Sequence, residues 1–178
     1  MSKEDIRRKT KNELKDFFLE QGKKTFRAKQ VYEWLWQKGT GSFDDMTNLS
    51  KDDRQLLKNK FVLKPIVLKD EQRSSDGSIK CAFELYDGHL IESVLIPSAK
   101  RVTACISTQV GCQLGCSFCA TAKIPFKRNL EVGEIFDQVV YLNQLAEKHY
   151  QQNLSNIVYM GMGEPLNNYE NLIGSANI

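Results

Sequence analysis

No stretch of the 178 residues is apolar for long enough to cross a bilayer. The charged N-terminus has no signal-peptide core. Internal repeats and low-complexity tracts are missing as well. Histidine is scarce, with only His89 and His149 present. The formal net charge is only +3, which alone is weak evidence for nucleic-acid binding. The cysteine count is five, and an odd number with three clustered argues against a secreted disulfide framework. These absences, with an ordinary 41% hydrophobic content, leave a globular protein expected in the cytoplasm, without membrane association.

What is present is concentrated at Cys112, Cys116 and Cys119, spaced C-x3-C-x2-C. Three thiolates close together can hold three irons of a [4Fe-4S] cube and leave the fourth iron open to a substrate or cofactor. Most [4Fe-4S] electron carriers use four cysteines. A structural zinc would want four protein ligands, and neither histidine lies nearby in sequence. Ligand count therefore favours the cluster over zinc or a structural thiol group. The spacing, with Phe118 before the last cysteine, is the one expected of radical S-adenosylmethionine (SAM) enzymes.

Three stretches organise the chain. Residues 1–62 read as a helical domain. Leu14, Phe17 and Phe18 fall at helical spacing before Gly22, and Val31, Trp34 and Leu35 before Gly39 and Gly41. Ser50 is a candidate N-cap with Asp53 at the capping-box position, and Leu56, Leu57 and Phe61 form the buried side. Core packing is the preferred reading of both tryptophans. Ten Lys and Arg residues between Lys3 and Lys29 form either a solvated face or an RNA-contacting one.

Residues 63–97 read as a β-hairpin connector. Ile79, Cys81, Phe83 and Leu85 alternate with Lys80, Ala82, Glu84 and Tyr86, and Asp87-Gly88 makes the turn. The return strand runs from His89 to Ile96, with Pro97 ending it. On it Glu92 shares a face with Leu90, Val94 and Ile96. A carboxylate there is expected to be paired or functional. Cys81 reads as a core residue.

Residues 98–178 read as β–loop–α–β. A strand from Val102 to Thr108 feeds the cysteine loop, an amphipathic helix spans 131–149, and a strand from Asn156 to Met160 ends in Gly161-Met162-Gly163-Glu164-Pro165. Both loops lie at the C-terminal ends of strands, where such folds place function. Two parallel strands and one crossover helix cannot close a barrel. The expectation is an α/β chain holding the first β–α–β part of a partial barrel, and hence an N-terminal fragment. Lys127, Arg128 and Asn129 either contact phosphate or fix the loop.

The ordered set of motifs closely resembles the RlmN family, dual-specificity radical SAM RNA methyltransferases acting on adenine C2 in 23S rRNA and tRNA. The matching residues are Gly111-Cys112, Gly115-Cys116-Ser117-Phe118-Cys119-Ala120-Thr121, Phe126-Lys127-Arg128-Asn129-Leu130 and Gly161 to Asn167. Phe26 to Gln30, Trp34-Leu35-Trp36 and Met46 to Ser50 extend the match over nearly the whole chain. The resemblance implies a radical SAM (β/α)6 barrel, a [4Fe-4S] cluster on Cys112, Cys116 and Cys119, and SAM contacts at Gly163 and Glu164. It implies Cys105 as the resolving cysteine, through a transient disulfide, against the ordinary reading of a buried thiol. It implies Glu92 as proton acceptor, against an edge-of-sheet salt bridge. Further expectations are 23S rRNA and tRNA as partners, a reductant such as flavodoxin, a monomeric full-length protein and an inactive fragment. The related radical SAM adenine-C8 methyltransferase is the near alternative, and Pro165, Phe126 and the Trp34-Leu35-Trp36 stretch fit the C2 enzyme better. An RNA-binding module with a zinc-bound cysteine loop is the alternative from another class.

Overall fold

A computed structural model describes residues 3–178, in two compact units that divide between Lys64 and Pro65. The first unit is built on helices α1 (Lys11–Glu20), α2 (Phe26–Trp36) and α3 (Lys51–Lys60). A full capping box starts α1. Thr10 Oγ1 accepts from the Glu13 N–H at 3.2 Å, and the Glu13 carboxylate accepts from the Thr10 N–H at 2.7 Å. Leu14, Phe18, Val31, Leu35 and Leu57 form the buried core, and Phe17 meets Phe61 edge-on at 5.0 Å between ring centroids. The chain ends of this unit are tied by strand β1 (Glu4–Asp5), which pairs in parallel with β2 (Phe61–Val62).

Two local expectations change here. Ser50 does cap α3 by accepting from the Asp53 N–H at 3.1 Å. The Asp53 carboxylate, however, does not complete a box. It is buried beneath Lys23 and Arg27, at 3.1 and 3.3 Å, because two cations offer a buried carboxylate more than one backbone amide. Trp36 is buried as expected. Trp34 is only half-buried, with its indole N–H donating to Asn48 Oδ1 at 2.6 Å and Lys38 Nζ lying 3.6 Å from its ring centroid.

The second unit is a five-stranded sheet with one long helix packed on one face. Its strands are β3 (Val67–Arg73), β4 (Ile79–Glu84), β5 (Leu90–Ser98), β6 (Arg101–Cys105) and, after two short strands described below, β9 (Asn156–Val158). Their order across the sheet is β3-β4-β5-β6-β9. The first four pair antiparallel, and β9 joins β6 in parallel. Helix α4 (Val132–Tyr150) makes the crossover from β6 to β9. Alternation then sorts the side chains. Ile79, Cys81, Phe83, Ile91, Leu95, Val102 and Ala104 are buried in one core with Ile135, Leu142, Leu145 and Ala146 of α4. The opposite face, bearing Lys80, Glu92, Val94 and Cys105, stays open or half-open.

The hairpin is therefore part of the sheet rather than a connector set apart from it. Two corrections concern its edges. Pro97 does not end the return strand, because β5 runs on to Ser98 and pairs Pro97 with Val102. Strand β3 was not foreseen. It reads Lys-Asp-Glu-Gln-Arg through most of its length, has no apolar alternation, and lies at the sheet edge, where charge discourages further pairing.

Candidate functional site

The site residues gather where the strands end. Strand β6 leads through Ile106-Ser107-Thr108 into β7 (Gln109–Val110), which pairs with β8 (Arg128–Asn129). The loop between β7 and β8 holds all three clustered cysteines. Gly111 opens it with φ +72°, and a Cβ there would stand 2.3 Å from the Pro125 carbonyl oxygen. Only glycine allows the two arms of the loop to close so tightly. Inside the loop the Cys119 N–H donates to the Cys116 carbonyl at 3.1 Å, and the Leu114 N–H donates to Cys112 Sγ at 3.4 Å. Backbone hydrogen bonds from Ala122 and Thr121 hold the Cys119 thiol below its ordinary pKa. Phe118 is 91% exposed.

All five cysteines are free thiols. Among the described residues, no three His, Cys, Asp or Glu side chains are drawn into a metal-holding group. The chemistry of the loop nonetheless suits an iron–sulfur cluster. Its three thiols are half-exposed on one short segment whose two arms are pinned together, and none is sealed in the core.

The Gly161-Met162-Gly163-Glu164 loop lies against the same strand extension. The Gly161 N–H donates to the Ile106 carbonyl, and the Thr108 and Gln109 N–H groups donate to the Met162 carbonyl, at 2.9 to 3.2 Å. Gly163 has φ +94°, and a Cβ would meet Gln109 Cβ at 2.4 Å. The Glu164 carboxylate caps the short 3-10 turn Pro165–Asn168 by accepting from the Leu166 N–H at 3.1 Å. Helix α5 (Tyr169–Ala176), which the sequence reading did not foresee, follows directly.

Cys105 and Glu92 share the open face of the sheet. Cys105 pairs across the ladder with Val94, and Glu92 is two residues from Val94 on the same strand. Burial pushes the Cys105 thiol up, with a backbone hydrogen bond at Met160 pulling weakly the other way. Glu92 is half exposed and ion-paired to Lys80 at 3.1 Å. Its apolar neighbours Leu90 and Ile96 are exposed too, so the carboxylate stands on an open face rather than in a packed core. Cys81 lies on the opposite, fully buried face, and burial drives its thiol up to about 12.

The open choice over residues 127–129 is decided for two of them. The Arg128 guanidinium forks onto Glu134 in the first turn of α4, with both bonds at 2.8 Å, and reaches Asp87 of the hairpin turn at 2.6 Å. Asn129 accepts from the Gln109 amide at 2.8 Å and donates to the Asn167 carbonyl at 3.1 Å. Both residues fix the loop. Three of the buried polar side chains that escaped the sequence reading meet at the strand extension. Gln138 of α4 accepts from Ser93 Oγ and the Ser107 N–H, and its amide donates to the Ser107 carbonyl. Ser107 Oγ in turn donates to the Glu92 carbonyl and accepts from the Met162 N–H. Gln109 is the third. The available signal was a polar Ser-Thr-Gln run directly after an apolar strand.

Residues 5–63 match the family model for the ribosomal RNA large subunit methyltransferase N-terminal domain. The chain is 56% identical over 97% of its length to a probable dual-specificity RNA methyltransferase RlmN of Cytophaga hutchinsonii. The chain belongs to the RlmN family. A relative of the same name from Staphylococcus aureus is 47% identical over 94% of the chain. The chain spans about half the length of these RlmN relatives, 47% and 46% respectively. A solved radical SAM methyltransferase from Sphaerobacter thermophilus superposes with a TM-score of 0.85 at 38% identity, covering 98% of this chain and 51% of that one. The α/β architecture expected from the sequence is thus that of a radical SAM methyltransferase.

Proposed function

We propose that the RlmN-family protein to which this chain belongs is a radical SAM methyltransferase acting on adenine C2 in 23S rRNA and tRNA. The observation that supports this most is the placement of Cys105 and Glu92 on one open sheet face, on and beside the strand that feeds the cysteine loop. Cys112, Cys116 and Cys119 would hold a [4Fe-4S] cluster, and Gly163 and Glu164 would contact SAM. When bound, these groups supply one-electron chemistry that the polypeptide cannot.

The chain's own residues position and finish the reaction. Glu92 takes the proton from adenine C2. Cys105, as thiolate, attacks the sulfur that bridges enzyme and base. A sulfur–sulfur bond forms, and the sulfur–carbon bond breaks with its electron pair passing to the methylene carbon on adenine C2. That carbon takes up a proton to become the methyl group, and the transient disulfide is afterwards reduced by external thiol. Of the five thiols this reading uses Cys105 and the three loop cysteines, and leaves Cys81 in the core. Lys and Arg of the first unit supply an RNA-contacting face. A cytoplasmic setting, a flavodoxin-type reductant and a monomeric full-length protein complete the reading.

The test is product analysis with the anaerobically reconstituted full-length protein. Methyl at adenine C2 supports the reading. Methyl at C8 assigns the protein to the related radical SAM adenine-C8 methyltransferases. Bound zinc without iron–sulfur absorption replaces the enzyme with an RNA-binding module.

A further inference from the structure

The strand extension carries two side-chain amides with no part in the reaction just described. Gln109 is 1% exposed. Its Oε1 accepts from the Glu164 N–H at 2.9 Å, and its Nε2 donates to Asn129 Oδ1 at 2.8 Å. Asn129 lies directly across the two-strand ladder from Gln109 and passes the connection on, its Nδ2 donating to the Asn167 carbonyl at 3.1 Å. The turn 164–167 is thus gripped at both ends. The β7 arm of the cysteine loop holds its first residue, and the β8 arm holds its last. The turn closes on itself as well, since the Asn167 N–H donates to the Glu164 carbonyl at 3.1 Å.

Both amides are fully oriented. Exchanging O and N in Gln109 would set an N–H against the Glu164 N–H and two oxygens against each other at Asn129. The contact is also sterically exclusive. Gly163 sits so close to Gln109 that a Cβ there would overlap Gln109 Cβ. No water-sized gap separates the two loops at this point.

We propose that Gln109 and Asn129 form an amide brace that sets the distance and register between the cysteine loop and the Gly163-Glu164 loop, with Gln109 the principal positioning residue. The inference rests on the reading of these loops as the two halves of a cofactor site. The brace makes the separation of the loops a property of the polypeptide before anything binds. A SAM molecule spanning both loops then meets Glu164 already placed, and does not have to order it.

The experiment compares wild type with Gln109→Leu and Gln109→Glu, in the full chain, by hydrogen exchange of the Glu164 amide and by SAM binding after anaerobic reconstitution. Gln109→Leu removes the acceptor and should speed Glu164 exchange by about five- to tenfold, the equivalent of one neutral hydrogen bond. Gln109→Glu keeps an acceptor for that amide and should restore slow exchange. It loses the donor to Asn129, so SAM binding should stay weakened in both variants while iron content is unchanged. Unchanged Glu164 exchange in Gln109→Leu, in a folded protein, overturns the brace. Equal loss of iron and of thermal stability in both variants, without selective exchange at Glu164, also overturns it in favour of general packing. If wild type binds no SAM at all, the cofactor reading fails, and the exchange comparison still decides the brace.

Discussion

Arg128 and Glu134 are joined by two parallel hydrogen bonds of 2.8 Å, linking the return strand of the cysteine loop to the first turn of α4. Glu134 is buried, and the same guanidinium reaches Asp87 and stacks 5.0 Å from the Tyr86 ring centroid. Two acidic partners hold the Arg128 pKa well above its ordinary value despite its desolvation. The cysteine loop, the hairpin turn and the crossover helix therefore share one cation.

Replacing Glu134 by Gln should cost about 3 kcal/mol, because it leaves a partly buried guanidinium with Asp87 as its remaining acidic partner. Arg128→Lys should also destabilise, since an ammonium cannot fork onto a carboxylate. Urea unfolding of both variants checks this. A shift of less than about 0.5 kcal/mol would place the pair with ordinary surface bridges.

Gly163→Ala should destabilise the second unit by about 2 kcal/mol or more, through positive φ and overlap with Gln109 together. Measured against a Gln109→Gly background, which removes both the Cβ and the Cγ that the new methyl would meet, Gly163→Ala should cost less, the backbone strain remaining. Partial rescue in thermal unfolding is the expected result, and full rescue would mean that backbone strain at residue 163 is negligible.

Buried Cys81 and half-buried Cys105 should respond to alkali differently from an exposed thiol. The folded state holds Cys81 neutral to about 12, against 9.0 ordinarily. The unfolded chain then releases its proton first, so this group's contribution to stability falls as pH rises from 9.0 toward 12. Cys105 is raised by the same cause, and the resolving role proposed for it would require the thiolate. Its alkylation, and release of the RNA adduct in the full-length protein, should both speed up as pH rises through the alkaline range. A flat pH profile for Cys105 modification would contradict a raised thiol.

Cys105→Ala in the full-length protein should trap adenine on the enzyme as an adduct that survives denaturation. Ordinary multiple turnover in that variant would return Cys105 to a packing role. Alanine at any one of Cys112, Cys116 or Cys119 should instead abolish SAM cleavage and lower iron content, with no adduct.

In the first unit, Thr10→Ala should cost about 1 kcal/mol by opening the capping box of α1. Circular dichroism melting reads the loss, and Thr10→Ser should restore most of it.

The sequence by itself determined the elements whose signals are local. The 3.6-residue spacing around Leu14, Val31 and Leu142, the alternation from Ile79 to Leu85, the Asp87-Gly88 turn and the thiol spacing at Cys112 each follow from the chemistry of a few neighbouring residues. Periodicity also put Glu92 on the correct strand face. It could not say whether that face is packed, because that depends on which side of the sheet receives α4. Only the tertiary structure decided this, and with it the exposure of Leu90, the ion pair of Glu92 with Lys80 and the half-burial of Cys105. The same holds for β3, a charged edge strand formed because β4 offers it a ladder, and for β7 and β8, two residues each, which exist only as partners. The assignment of Gln109, Asn129 and Arg128 needed long-range hydrogen bonds to Glu164, Asn167 and Asp87. Polar side chains take their role from the partner that burial leaves them, and that partner is set by the fold rather than by sequence spacing.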